Sequence, residues 1–128
     1  MSIPNIFDTT MSRLGYALDG LSQRQSLISD NVANADTPGY LTKDVAFEQS
    51  LTSAMQSQDF MPTMGNGLPD GLPADTTRND MRVRNDGNNV DVNQQMTEMA
   101  GTTVTYEAAT QLISNKFGLL SSALAPIN

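Results

Sequence analysis

Apolar residues recur at steps of three and four through the first part of the chain, at Met11, Leu14, Leu18, Leu21, Ile28, Val32 and Ala35. That spacing puts them on one stripe and predicts a helix with a heptad seam. Gln25 interrupts the seam, where a polar residue lowers stability and helps fix register. Asp8, Thr9 and Thr10 are N-cap candidates for its start. The stop is Ala35-Asp36-Thr37-Pro38-Gly39-Tyr40. Pro38 pushes Thr37 out of helical geometry, and Gly39 permits a positive φ just beyond. About 26 residues give roughly 39 Å of helix.

A second helical pattern follows Asp91, which with Gln94 has the form of a capping box. Its seam reads Val92, Met96, Met99, Thr103, Tyr106, Thr110, Ile113, Phe117, Leu120 and Leu124, ending before Pro126. About 33 residues give roughly 50 Å, which is long for a small domain. Both helices carry apolar residues off the seam. Tyr16 and Leu27 lie on the far side of the first; Val104, Ala108, Leu112, Leu119 and Ala123 lie off the seam of the second. Two helices paired in isolation would leave that surface wet, at roughly 1.5–3 kcal/mol per exposed large side chain. Gly101 and Gly118 sit inside the second helix at about 1 kcal/mol each relative to Ala, which suggests close approach by a neighbouring helix.

The centre reads differently. Six of the fourteen residues from Pro62 to Asp75 are Gly or Pro, which excludes a regular helix or strand there. Val45, Phe47 and Leu51 can anchor a short extended or helical piece. Met81-Arg82-Val83-Arg84 alternates like a short strand before the turn-forming Asn85-Asp86-Gly87-Asn88-Asn89. The predicted fold class is therefore mainly α. N- and C-terminal helices pair as a coiled-coil-like hairpin around a turn-rich centre with room for a short β-hairpin. The divisions fall at residues 1–40, 41–90 and 91–128, with one discontinuous helical domain built from both termini.

Composition narrows the chemistry. The 128 residues contain no His and no Cys, so imidazole bases, thiol nucleophiles, thiolate zinc sites and disulfides are excluded. Aromatic residues make up only 5%, too few for a thick core. A net charge of −7 disfavours phosphate backbones, so no nucleic-acid partner is expected. No apolar run approaches a membrane span, and the first residues lack the pattern of a cleavable secretory signal. The Asp86-Gly87-Asn88 stretch lacks the acid spacing of a calcium loop and reads as a turn. The eleven Asp are spread along polar stretches, with no apolar setting to raise a pKa. Met96 and Met99 read as core filling rather than soft-metal ligands. No catalytic residue, cofactor, metal site or small-molecule substrate is expected.

One string asks for more than a local explanation. Asn31-Val32-Ala33-Asn34-Ala35-Asp36-Thr37-Pro38-Gly39-Tyr40 pairs two Asn one turn apart with a Thr-Pro-Gly-Tyr turn. Its motif residues, Asn31, Ala33, Asn34, Thr37, Pro38, Gly39 and Tyr40, resemble the N-terminal signature of the flagellar basal-body rod protein family. Lys43-Asp44-Val45-Ala46-Phe47, Asp86-Gly87-Asn88-Asn89-Val90-Asp91 and Lys116-Phe117-Gly118-Leu119-Leu120 resemble the continuation in short proximal rod members, in the family's order. Gln94 and Gln95 stand where that pattern has charged residues, and residues 62–75 follow no family pattern.

The resemblance implies a structural subunit of the proximal rod, not an enzyme. Such subunits are exported without a cleavable signal through the flagellar type III apparatus, and assemble beyond the inner membrane. It implies self-association and contacts with other proximal rod proteins (FlgC-like), a FliE-like adaptor and the membrane ring protein. The assembly seam would comprise Leu14, Leu18, Leu21, Ile28, Met96, Met99, Tyr106, Ile113, Phe117, Leu120 and Leu124. The nearest competitor is another short axial protein, such as a FlgC-like rod subunit. A helical export chaperone or adaptor has no use for the Thr-Pro-Gly-Tyr turn. A carboxylate-based hydrolase would need a pocket with a perturbed acid, which the sequence does not place.

Overall fold

The computed structural model describes residues 3–56 and 72–124. Helix α1 spans Ile3–Ala33, strand β1 Lys43–Asp44, helix α2 Phe47–Gln56, strand β2 Thr76–Thr77 and helix α3 Val92–Leu124. Helix α1 starts before the expected Asp8–Thr10 caps. Pro4 stands in its first turn, where a missing N–H costs nothing and a fixed φ suits the helix. At the start of α3 the Gln94 N–H donates to Asp91 Oδ1 at 3.1 Å, so Asp91 is the N-cap. The Gln94 side chain donates onward to Glu98 rather than back to Asp91, so the cap is not reciprocal. The expected end at Pro126 and most of the Gly/Pro-rich stretch lie outside the described residues.

The two long helices pack antiparallel. Asn31 meets Gln95, and six residues earlier in α1 Gln25 donates to Thr103 Oγ1 at 3.1 Å. The polar interruption in the first seam thus faces a polar residue of the second. Leu21 and Ile28 are buried, while Leu14 and Leu18 are half-buried. On α3 the seam is corrected by one residue in every other position. Gln95, Thr102 and Ala109 are the buried residues, interleaved with the half-buried Met99, Tyr106, Ile113 and Leu120. Met96, Phe117 and Leu124 turn outward, at 55%, 57% and 80% exposure. A one-residue step rotates a position by about 100°, enough to carry it from the contact to the flank.

Tyr16 and Leu27, off the predicted seam, enter a core with Leu21, Val45 and Phe47, against which Leu51, Leu72 and Tyr106 pack. The piece anchored by Val45, Phe47 and Leu51 is helical from Phe47, and Glu48 in its first turn complements the helix dipole. Arg24 of α1 clasps it. Its guanidinium donates to both Glu48 carboxylate oxygens, at 2.6 and 3.0 Å, and to the Val45 carbonyl at 3.0 Å. It also stacks 4.8 Å over the Phe47 ring. Hydrogen bonding to Arg24 holds the Glu48 carboxyl below its usual range. The small stability this exposed pair contributes is present above the ordinary carboxylate range and is lost as pH falls through the lowered pKa.

The expected strand at Met81–Arg84 does not form. Val83 is exposed, and the ladder position beside Lys43–Asp44 is taken by Thr76–Thr77, antiparallel, with Lys43 opposite Thr77 and Asp44 opposite Thr76. The Arg78 N–H extends this contact to the Thr42 carbonyl at 2.7 Å.

Two glycines inside helices should respond oppositely to alanine. At Gly20 an added Cβ would overlap the Phe47 ring near its root, where the ring cannot swing away. Helix propensity favours Ala by about 1 kcal/mol, but displacing a buried Phe loses roughly 1.5–3 kcal/mol. Gly20→Ala is therefore expected to lower the urea midpoint. Around Gly101 an added Cβ meets nothing within 4 Å, so no close approach among the described residues explains it. Gly101→Ala is expected to raise the midpoint by the propensity term alone.

Candidate functional site

The two sequence blocks that stood out, 31–40 and 86–91, fold against each other at the end of the helix pair. The turn after α1 closes with the Tyr40 N–H on the Thr37 carbonyl at 3.3 Å. Pro38 is its second residue, and Gly39 its third at φ +76°, which is a type II turn. The facing turn runs Arg84–Gly87, closed by the Gly87 N–H on the Arg84 carbonyl at 2.9 Å, with Gly87 at φ +84°. The Arg84 N–H then reaches the Asn88 carbonyl at 2.8 Å, the arrangement of a tight hairpin with a glycine bulge. A Cβ on Gly87 would lie 3.3 Å from Gly39 Cα, so a side chain at 87 would crowd the Gly39 backbone. The Gly39 N–H donates to the Asp86 carbonyl at 2.9 Å across this contact.

Asn31 is fully buried in the last full turn of α1. Its Nδ2 donates to the Lys43 carbonyl at 2.9 Å and to Gln95 Oε1 at 2.8 Å. Its Oδ1 accepts from the Lys43 N–H at 2.9 Å and the Tyr40 hydroxyl at 3.0 Å. Both donors and both acceptor positions are filled, so this amide pairs with Lys43 as a neighbouring strand would and also ties α1 to α3. Burial, with Asp30 nearby, raises the Tyr40 pKa and keeps the phenol neutral and donating.

Asn88 is also fully buried. Its Nδ2 donates to the carbonyls of Asn34 and Thr37 at 2.9 and 2.8 Å, adding a second hydrogen bond to each beside those from the Thr37 and Tyr40 N–H groups. Its Oδ1 accepts from the Val90 N–H at 2.7 Å. Asn89 bridges the other side, accepting from the Thr42 N–H at 2.6 Å and donating to the Arg78 carbonyl at 2.6 Å. Arg84 donates to the Ala35 carbonyl. Asn34 folds back onto the Asp30 carbonyl at 2.8 Å and receives the Thr37 hydroxyl at 3.1 Å.

Of the motif residues, Asn31, Asn34, Thr37, Gly39 and Tyr40 are brought together here, while Ala33 and Pro38 are exposed at its edge. Asn88, Asn89, Gln95 and Thr42 were missed as partners. The unusual run of amides at Asn88-Asn89 and Gln94-Gln95 was the available signal. The arrangement is a polar lock whose buried amides are taken up by structural hydrogen bonds. Among the described residues, no group of three His, Cys, Asp or Glu could hold a metal ion, and no helix is long and apolar enough to cross a membrane.

Residues 14–40 match the model of the family described as flagella basal body rod protein. The chain is 30% identical over 124 residues to the flagellar basal body rod protein FlgB of Bacillus subtilis, covering 94% of this chain and 96% of that protein. It is 32% identical over 124 residues to FlgB of Aeromonas hydrophila, covering 92% and 94%. To FlgB of Escherichia coli it is 30% identical over 112 residues, covering 78% and 81%.

Proposed function

The chain belongs to the FlgB family of flagellar basal body rod proteins, and from that premise we propose that it polymerises through its terminal helices and passes torque from the membrane ring to the distal rod. As a basal body rod subunit it has a structural task. The reading supplies its neighbours: copies of itself, FlgC-like rod proteins, a FliE-like adaptor and the membrane ring protein. It also supplies a route, delivery by the type III export apparatus to the periplasmic side of the inner membrane.

The observation that carries the reading is the uncovered apolar surface of α3. Val104, Leu112, Phe117 and Leu119 are 66%, 53%, 57% and 64% exposed, on a helix whose Gln95, Thr102 and Ala109 are already buried. Each such side chain is worth roughly 1.5–3 kcal/mol if a neighbour buries it. The motif turn has a complementary role in this reading: it fixes where the chain leaves the helix pair.

Phe117→Asp separates assembly from folding. Phe117 is exposed in the single chain, so the substitution should leave monomer stability within about 0.5 kcal/mol of wild type. In an assembled rod it would bury a charge. Normal secretion with lost motility is the expected result. Leu120→Asp, on the half-buried side, should lose motility and also loosen the helix pair. Normal swimming by the Phe117 variant at equal secreted levels would remove this surface from the assembly.

A further inference from the structure

Met81-Arg82-Val83-Arg84 has the alternation of a strand, yet among the described residues nothing pairs with its first three residues. The Arg84 N–H and carbonyl turn to Asn88 and Gly87. In extended chain the neighbouring residue faces the opposite way, so Val83 presents its N–H and carbonyl to the other side. Among the described residues, no hydrogen bond reaches the backbone of Met81, Arg82 or Val83. Val83 is exposed, and so is Val92 nearby. Beyond Arg84 the two arms part around an open cleft of about 770 Å³, with residues from 78–85 on one wall and from 89–94 on the other. The lining carries Arg78, Arg82 and Arg84 against Asp80 and Asp91, on a chain of net charge −7. We propose that this cleft takes an extended acidic segment of a partner protein, which adds as a strand beside Val83 and sets a carboxylate against Arg82.

Unpaired backbone groups at an exposed edge are a template for another strand. Main-chain pairing holds the partner, and side chains choose it. Here the choice falls to Arg82. Arg78 is held by Asp80 and Glu98 at 2.8 and 3.1 Å, and Arg84 lies 3.7 Å from Asp86 and donates to the Ala35 carbonyl. Arg82 has no ion pair among the described residues. The carboxylates already in the cleft are taken, Asp80 by Arg78 and Asp91 by the cap of α3. A carboxylate from outside would therefore find an unanswered guanidinium. A second copy fits poorly. Two identical edges paired antiparallel about a two-fold axis set arginine against arginine, and like charges facing each other across strands are destabilising. The apolar step at Val83 and Val92 suits a partner segment in which acidic and apolar residues alternate. This docking goes beyond the rod reading and does not depend on it.

A fluorescein-labelled hexapeptide of alternating Glu and Val, titrated with the full-length chain and followed by anisotropy, tests the proposal. A Lys–Val peptide of the same pattern is the control. The acidic peptide is expected to bind and the basic one not. Arg82→Glu should weaken the acidic peptide at least about tenfold and admit the basic one. Val83→Pro removes an N–H that makes no hydrogen bond among the described residues, so it should abolish binding with helix content unchanged. In amide exchange the peptide should protect Val83 and not Arg82, which faces the other way. Equal binding of the two peptides, or undiminished binding by either variant, would overturn the docking. So would a Val83 amide already protected without peptide. Protection independent of concentration would mean that the chain covers its own edge, and protection that grows with concentration would mean a second copy. If neither peptide binds at about 1 mM, the arginines only guard the edge against pairing, and the docking is wrong.

Discussion

Asn31→Leu is expected to abolish cooperative thermal melting followed by circular dichroism near 222 nm (roughly the helix band). The leucine fills much the same space but leaves the Lys43 N–H and carbonyl, Gln95 Oε1 and the Tyr40 hydroxyl facing apolar carbon. An unmet buried polar group costs about 1–3 kcal/mol. Several together, about 4 kcal/mol or more, rival the ~5–15 kcal/mol that holds a domain folded. Asn31→Asp is the sharper form of the same experiment. It places a carboxylate against two acceptors that Asn31 now supplies with hydrogens, in a site with no exposure. Desolvation raises the pKa of such a carboxyl, so the folded state favours its protonated form. The variant should be least stable near neutral pH and recover as pH falls below the raised pKa. Wild type should slope the other way in acid, because the Glu48 carboxyl is held low by Arg24. Parallel pH profiles for the two proteins would mean that Asn31 is not sealed from water.

Gly39 sets the second large effect. It sits at φ +76°, and an added Cβ would meet nothing within 4 Å, so a substitution there is penalised by backbone conformation alone. The left-handed region costs an ordinary L-residue roughly 1–2 kcal/mol, a β-branched one more, and Asn least. Stability and motility should both fall in the order Gly, Asn, Ala, Val. Helix content should stay near wild type, because the turn lies outside α1 and the helix seam does not use it. Gly87→Ala should be worse than Gly39→Ala, since it combines φ +84° with a 3.3 Å approach to Gly39 Cα. Equal motility of the Val and Asn variants at equal secreted levels would show that the handedness of the turn is not what the motif supplies. A side-chain contact of Thr37 or Tyr40 would then be the better explanation.

What could be read along the sequence was whatever is fixed within a turn or two of backbone. The seams announced two long helices, Asp91 with Gln94 announced the start of α3, and Thr37-Pro38-Gly39-Tyr40 announced a turn needing positive φ at Gly39. Gln25 announced a polar seam position, and Thr103 is what it meets. The rotation of α3 could not be read, because the three–four spacing points to Met96, Thr103 and Thr110 whereas the residues buried are Gln95, Thr102 and Ala109, two of them polar. It is decided at one end, where Gln95 must turn inward to meet Asn31; Met99, Tyr106, Ile113 and Leu120 then follow toward α1, and Met96, Phe117 and Leu124 turn out. In the same way Asn88 and Asn89 look like ordinary turn residues until residues 34–42, distant in sequence, present the carbonyls and N–H groups that bury them. Local hydrogen bonding and periodicity are written in neighbouring residues, whereas which polar groups leave water depends on partners that only the closed chain brings within reach.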